Sequence, residues 1–163
     1  MTTRKKVVLV VDYQNMYCKA RELEHDFHIM SLLNYVEQKY SLRREDVFVF
    51  MSQGFYENMH ERAKRKIHGT GVHVKLPSRK RLPYQFDPVD KSIISFIKKQ
   101  LRRTDIEGIV LASSDGDFAP LGDDAWERGK QFYLIPYDDP SHKFTRTTQN
   151  IVRLREVIRP NER

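Results

Sequence analysis

The run "VVLVV" close to the start of the chain limits the fold more than any other stretch of the sequence. Its residues, Val7–Val11, are apolar and mostly β-branched, which is the composition of a fully buried strand. The run ends abruptly at Asp12, so a carboxylate lies at the end of the predicted strand. Because a fully buried strand has no face exposed to solvent, other parts of the chain must cover it on both sides.

Apolar runs of the same kind alternate with helical patterns along the rest of the chain. Further strands are predicted at Asp46–Met51, Gly71–Leu76, Gly108–Ala112 and Gln131–Pro136. Helices are predicted at Tyr13–Leu23, Ile29–Tyr40, Phe55–Ile67, Asp87–Arg103 and Phe118–Arg128, whereas the tail "IVRLREVI" is compatible with either type. Strands that alternate with helices predict an α/β fold, with a parallel sheet covered on both faces and built from right-handed crossovers.

Length and composition favour one soluble domain spanning residues 1–163. No apolar run approaches the roughly 18 residues that span a bilayer. Cys18 is the only cysteine, so we expect a cytoplasmic protein without internal disulfides or membrane contact. The net charge of +7 fits a polyanionic partner such as nucleic acid, although a basic surface without a specific ligand fits it equally well. Self-association of the chain is left open.

Four aspartates stand where this fold class places its ligands, which is beyond the carboxyl ends of the strands. Asp12 ends the first predicted strand, and Asp115 and Asp117 follow the fourth strand in "SSDGDF". Asp90 lies in the first turn of the helix Asp87–Arg103, on the side of its apolar stripe. The start of that helix is expected near the same edge of the sheet, so the four carboxylates are predicted to converge.

Each of these acids also has an ordinary structural explanation. Asp115 and Asp117 suit the positive end of the helix that follows them. Asp90 is a common residue for a first helical turn, and Asp12 suits a strand-end turn. Four converging carboxylates would repel one another, however, and a hard divalent cation removes that penalty. Mg²⁺ and Mn²⁺ prefer oxygen ligands, so the sequence predicts a site for one of these ions.

Polar residues beside the acids complete the predicted site. Asn15 follows Asp12 by three residues and is expected to position a water molecule or a substrate phosphate. Ser113 and Ser114 precede Asp115 and can donate hydrogen bonds to the acids or to a phosphate. Small residues at a strand end are also often there only for packing.

Three motifs of the chain resemble the NYN domain of the PIN-like nuclease superfamily. "VVDYQN" resembles the family's Asp-x-x-Asn motif, "PVDKSIISFI" its middle helix, and "SSDGDF" its Ser-Gly-Asp-Ser-Asp-Phe-type motif after the fourth strand. The likeness covers nearly the whole chain, and the order and spacing of the motifs agree. It implies a three-layer Rossmann-like (PIN-like) fold with a mainly parallel sheet of about five or six strands.

The resemblance further implies a metal-dependent ribonuclease that uses Mg²⁺ or Mn²⁺ to hydrolyse single-stranded or structured RNA. By position, the family's acidic site falls on Asp12, Asp90, Asp115 and Asp117, and its polar partner on Asn15. Mg²⁺ and Mn²⁺ polarise a phosphoryl oxygen and help to make hydroxide from bound water. The resemblance therefore assigns the four acids to metal binding and catalysis.

The chain departs from the family pattern at two places. The middle helix of the family often carries a second acid about two turns in, where this chain has Ser95, Phe96 and Lys98. In addition, Gly116 follows Asp115, whereas the family places glycine before that acid. The missing acid favours a single ion over a two-metal arrangement.

A basic loop is the predicted path of the RNA. Its candidate contacts in "KLPSRKRLPYQF" are Arg79, Lys80, Arg81 and Tyr84. The three cations suit phosphates and the ring suits stacking on a base, unless this is a solvated loop with its aromatic residues in the core. Near another predicted strand end, Lys143 and Arg146 are expected to help close the site.

Two further functions remain open at the level of the sequence. A degraded site would leave an RNA-binding or regulatory module that binds with a steep salt dependence and cuts nothing. A phosphatase-like enzyme with Asp12 as nucleophile is less favoured, because a haloacid-dehalogenase-type site has an acid where this chain has Gln14. The sequence shows no zinc pattern, phosphate-binding loop or G-x-S-x-G elbow, which argues against an NTPase or a serine hydrolase.

Overall fold

The computed structural model describes residues 4–77, 87–144 and 150–159. Its strands are β1 (Val7–Asp12), β2 (Val47–Phe50), β3 (His73–Lys75), β4 (Gly108–Ala112), β5 (Gln131–Leu134) and β6 (Asn150–Ile151). They form one parallel sheet in the order β3-β2-β1-β4-β5-β6. The predicted α/β fold with a parallel sheet of five or six strands is confirmed.

Strand β1 lies at the centre of the sheet, because β2 and β4 pair with it on its two sides. Every residue of β1 is buried, as the apolar run predicts. The chain winds outward from β1 through β2 to β3 and then returns to place β4 against β1. In such sheets the ligand site lies at this switch point, beyond the carboxyl ends of the two central strands.

Helices cover both faces of the sheet and complete the three layers. They are α1 (Tyr13–Glu22), α2 (Ile29–Lys39), α3 (Gln53–Glu57), α4 (Glu61–Gly69), α5 (Pro88–Gln100), α6 (Pro120–Glu127) and α7 (Leu154–Val157). Val7, Leu9 and Val11 share one apolar core with residues of α1, α2, α4 and α7. Val8 and Val10, which point the other way, share the second core with α5 and α6.

The predicted single helix Phe55–Ile67 is wrong, since the chain forms the two helices α3 and α4 with a break between them. The Ser52 hydroxyl caps α3 by accepting a hydrogen bond from the Phe55 N–H at 3.1 Å. His60 has an extended backbone, and its Nδ1 caps α4 by accepting from the Arg62 N–H at 3.2 Å. Histidine is not among the favoured N-cap residues, so this second helix start could not be predicted from local pattern.

The segment after β4 also differs from the predicted helix Phe118–Arg128. A 3₁₀ turn, Gly116–Phe118, comes first, and α6 begins at Pro120, which is suited to a first helical position. The ambiguous tail contains both types of structure, with β6 followed by α7. Among the described residues, no helix is long and apolar enough to cross a membrane.

Candidate active site

The two central strands place their acids side by side at the carboxyl edge of the sheet. Val11 of β1 is the register partner of Ala112 of β4, so Asp12 and Ser113 are the next residues along neighbouring strands. Asp12 is 4% exposed and Ser113 is fully buried. Because neighbouring parallel strands end at the same edge of the sheet, residues 101 positions apart in the sequence come into contact here, as predicted.

Hydrogen bonds tie these two strand ends together. The Ser113 hydroxyl donates to Asp12 Oδ2 at 3.0 Å and accepts from the Asp115 N–H at 3.2 Å. Asn15 Oδ1 accepts from both the N–H and the hydroxyl of Ser114, at 2.9 and 3.0 Å. The side-chain carbonyl of Asn15 therefore holds the turn after β4, and only its NH₂ group is available for a substrate or water.

Three carboxylates meet in front of this hydrogen-bonded layer. Asp90, Asp115 and Asp117 each offer an oxygen atom, and these atoms all lie within 4.8 Å of one another. Asp90 comes from the first turn of α5, whereas the other two come from the turn after β4. Asp12 is not a member of this close group and lies behind it, against Ser113. The structure therefore brings the four predicted acids together as a front group of three with one buried acid behind.

Asp115 both caps a turn and faces the other acids of the group. Its Oδ1 accepts a hydrogen bond from the Asp117 N–H at 3.0 Å and so caps the 3₁₀ turn. Its side chain also forms a hydrogen bond with Asp90 on α5. The cap fixes the orientation of the carboxylate, and the acid group nevertheless faces other acids.

The electrostatic state of Asp12 reflects its burial. Burial raises the pKa of Asp12 to about 7, because removal from water penalises the charged form. The hydrogen bond from Ser113 opposes this shift, whereas the charge on Asp115 adds to it. A buried carboxylate with this pKa readily exchanges a proton near neutral pH.

Asp90 is less deeply buried, yet its pKa is raised further, to about 8. Burial is the largest cause, followed by repulsion from Asp115 and then from Asp12. Asp87 contributes to the raised pKa of both Asp12 and Asp90. Asp87 caps α5 by accepting a hydrogen bond from the Val89 N–H at 2.8 Å, and its share in this field was not predicted from the sequence.

The donor set of this acidic group fits a hard divalent cation. Three carboxylate oxygens converge, and among the described ion pairs none joins Asp12, Asp90, Asp115 or Asp117 to a cationic side chain. Oxygen-only ligands and uncompensated negative charge are the conditions under which Mg²⁺ or Mn²⁺ binds. The residues present therefore fit the predicted ion.

Gly116 has a structural reason to follow Asp115. A Cβ atom at this position would collide with the Ser141 side chain and would lie 2.9 Å from Lys143 Cδ. The Ser141 N–H also donates to the Ser114 carbonyl at 3.0 Å. The segment after β5 thus lies directly against the acidic turn, and it places Lys143, a predicted substrate contact, beside the site.

The remaining predicted substrate contacts are not among the residues that the structure describes. Arg79, Lys80, Arg81, Tyr84 and Arg146 lie outside the described residues. Phe96 stands at a position where the family often has an acid. Its ring centroid lies 4.5 Å from that of Phe48 and 5.4 Å from that of Phe50. This part of α5 therefore faces an aromatic cluster, in keeping with a single acidic group at the start of the helix.

Comparisons with known proteins agree with this description. The family model described as "NYN domain" matches residues 6–154. A solved structure of a Vibrio parahaemolyticus protein of unknown function has the same fold, with a TM-score of 0.74, 20% sequence identity and 94% of each chain covered. No sequence among curated proteins matches the chain.

Proposed function

The chain belongs to the NYN domain family, whose members are generally nucleases, and from that premise we propose that it is a metal-dependent ribonuclease. The observation that carries the proposal is the convergence of Asp90, Asp115 and Asp117 in front of Asp12, at the switch point of the sheet. NYN domains generally act on RNA, and the chain's net charge of +7 suits a polyanionic substrate.

The front group of Asp90, Asp115 and Asp117 would hold one Mg²⁺ or Mn²⁺ ion, directly or through water. When bound, such an ion polarises a phosphoryl oxygen and lowers the pKa of a bound water. Asp115 is the best anchored of the three, because its own backbone and that of Asp117 fix its position. Asp90 reaches the group from a separate helix and clamps the site from the α5 side.

Asp12 has a different part in this proposal. It is held by the Ser113 hydroxyl behind the front group, and its carboxylate is placed to accept a proton from an attacking water. Among the described residues, the NH₂ group of Asn15 and the ammonium group of Lys143 are donors that would orient a phosphate beside the acids. Hydrolysis would then break the phosphorus–oxygen bond to the leaving nucleotide, and water would supply the new oxygen.

The direct test is incubation of the pure protein with labelled single-stranded RNA, with and without Mg²⁺ or Mn²⁺. We expect cleavage that requires the ion and that is lost in Asp12→Asn and Asp115→Asn. Asp139→Asn is the matched control, because Asp139 is exposed, pairs with Arg153 and is not a member of the acidic group. Cleavage that survives both site substitutions would disprove the proposed site.

A second candidate, an RNA-binding module that does not hydrolyse its ligand, is favoured by the position of Phe96. Its ring packs against Phe48 and Phe50 where the family often has a further acid. Such a module would retain RNA in a filter-binding assay and leave its length unchanged at any Mn²⁺ concentration. Reproducible cleavage that disappears in Asp115→Asn would exclude it.

A further inference from the structure

A groove with aromatic and basic walls lies on the other side of β1 from α5. It is formed by α1, by the segment that leads into α2, and by α4, and it is an open groove with a volume of about 590 Å³. The lining residues that matter here are Tyr13, Tyr17, Phe27, His60, Arg62 and Lys66, and we call this surface the α1–α4 groove. A smaller hollow of about 250 Å³ is also lined by Tyr13, Tyr17 and His60 and continues it toward α3.

The aromatic wall of the groove is held in place by ring contacts. Tyr13 packs edge-on against Phe27 and Phe55, with centroid distances of 5.2 and 6.1 Å. Tyr17 packs edge-on against Phe55 at 5.5 Å, yet remains 38% exposed. Its ring is therefore both fixed and accessible, which is the arrangement that base stacking requires.

The charge of the groove is basic. Arg62 and Lys66 line it from α4, and in the described part of the chain no carboxylate pairs with either of them. Asp26, the acid of the lining, is engaged by Arg21 at 3.1 Å. His60 accepts through Nδ1 from the Arg62 N–H, so its neutral ring carries the proton on Nε2, which can donate to a ligand.

We propose that the α1–α4 groove binds one nucleotide of single-stranded RNA, with the base against Tyr17 and the phosphate between Arg62 and Lys66. The inference rests on the proposed function for the class of substrate, and it adds a binding position separate from the acids. The volume lies in the range of small-ligand pockets, which suits a nucleotide.

Charge and continuity favour RNA over a peptide or a lipid surface. Helix α4 presents Arg62, Lys64, Arg65 and Lys66 against the single acid Glu61, and Lys64 pairs with that acid at 3.2 Å. The groove also begins at Tyr13, the residue directly after Asp12. An RNA strand with its scissile phosphate at the acids would therefore extend toward the groove past Tyr13.

The test measures the affinity of a fluorescein-labelled decauridylate by fluorescence anisotropy, in a chelator so that no cleavage occurs. Tyr17→Ala is expected to raise the dissociation constant about tenfold, as loss of one stacked base does, whereas Tyr17→Phe keeps the ring and the affinity. Trp126→Ala is the matched control, because Trp126 is 80% exposed on α6 and does not line the groove.

A charge-reversal pair on one helix separates specific contact from general attraction. Arg62→Glu and Arg65→Glu change the net charge equally, but only Arg62 lines the groove. We expect Arg62→Glu to weaken binding several-fold more than Arg65→Glu, with unaltered thermal melting for both. Equal losses would mean that the RNA senses only diffuse charge, and this would overturn the proposal.

Two other results would also overturn it. The first is unchanged affinity in Tyr17→Ala. The second is a concentration-dependent dimer in sedimentation that Tyr17→Ala abolishes, which would assign the groove to a second copy of the chain. These tests of the groove do not depend on catalysis. If RNA binds in the groove and is never cut, the nuclease proposal is wrong and the groove proposal stands. If RNA is cut but binds Tyr17→Ala and Arg62→Glu with normal affinity, the groove proposal is wrong and the nuclease proposal stands.

Discussion

The two edges of the sheet differ in the charged partners that surround their carboxylates. At the amino edge, Asp46 is 5% exposed and accepts from Arg103 at 3.0 Å and from Arg43 at 3.3 Å. At the carboxyl edge, Asp12 is 4% exposed, and the neighbours that shift its pKa most by charge are acids. Burial is thus the same at both sites, and the difference lies in the partners.

The amino edge compensates its charges within the chain. Arg103 also binds both oxygens of Asp105, at 2.9 and 2.7 Å, and this pairing holds the pKa of Asp105 well below its usual range. Acids that are paired with arginines in this way are already neutralised within the chain and need no further cation. The acids at the carboxyl edge have no cationic partner among the described ion pairs. Their mutual repulsion raises the free energy of the folded chain until a bound cation neutralises them.

The largest expected effect separates the two edges by activity. Asp90→Asn removes a carboxylate of the front group, and we expect the rate of RNA cleavage to fall at least about a hundredfold, as loss of a metal ligand does. Asp46→Asn, at the amino edge, should leave the rate per folded molecule unchanged. Initial rates with Mn²⁺ check both, and a comparable loss in Asp46→Asn would break the distinction.

The edges should also respond to pH in opposite directions. The raised pKa values of about 7 for Asp12 and about 8 for Asp90 mean that the folded chain binds more protons than the unfolded chain from about pH 4 to about pH 8. In a chelator, the free energy of unfolding from these groups should therefore fall as the pH rises through that range.

Thermal melting at several pH values checks this trend. Asp90→Asn should flatten it, and Mn²⁺ should oppose it by favouring the ionised acids. The lowered pKa of Asp105 acts in the opposite sense, because its contribution is present above the unfolded value and is lost as the pH falls. A melting temperature that rises steadily from pH 5 to pH 8 in the chelator would contradict the electrostatic account of the acidic site.

A third prediction concerns the stability of the amino edge. Asp46→Asn weakens charged hydrogen bonds to Arg103 and Arg43, and we expect it to lower the free energy of unfolding by about 2 kcal/mol. Asp90→Asn should not lower it, since that change relieves repulsion. Urea denaturation in a chelator at pH 7.5 compares the two, and a larger loss in Asp90→Asn would reverse the assignment of the edges.

The smallest effect is expected at the turn that carries Asp115. Gly116→Ala forces a methyl group against Ser141 and Lys143, and we expect a cost of about 1 kcal/mol together with a several-fold slower cleavage. Gly69→Ala is the control, because a Cβ there meets no atom within 4 Å. If both variants behave like the unaltered protein, the contact of the segment after β5 with the site has no bearing on activity.

Much of this arrangement follows from the sequence by two rules. The strand-end rule predicts that Asp12 and Asp115 meet, because both follow buried strands that are central in a parallel sheet. Helix periodicity predicts that Asp90 faces inward from α5, and the structure places it against Asp115. These rules depend only on local pattern and on the fold class, which the alternation of apolar runs determines.

The rest depends on contacts between distant segments, which local pattern does not encode. The break between α3 and α4 rests on a histidine cap at His60. The need for Gly116 arises from Ser141, which is 25 positions away. Asp87 caps α5, and its charge also helps to raise the pKa of Asp90, which local pattern does not indicate.

The central position of β1 has a consequence for the local unfolding of the site. Both sides of this strand are hydrogen-bonded and all its residues are buried, so its amides should exchange with solvent only when the whole chain unfolds. Asp12 and, through β4, Asp115 are thereby fastened to the slowest-exchanging part of the molecule. Asp90 belongs to α5, a helix at the surface of the fold. Local fraying of α5 would separate Asp90 from Asp115 and Asp117 without unfolding β1 or β4.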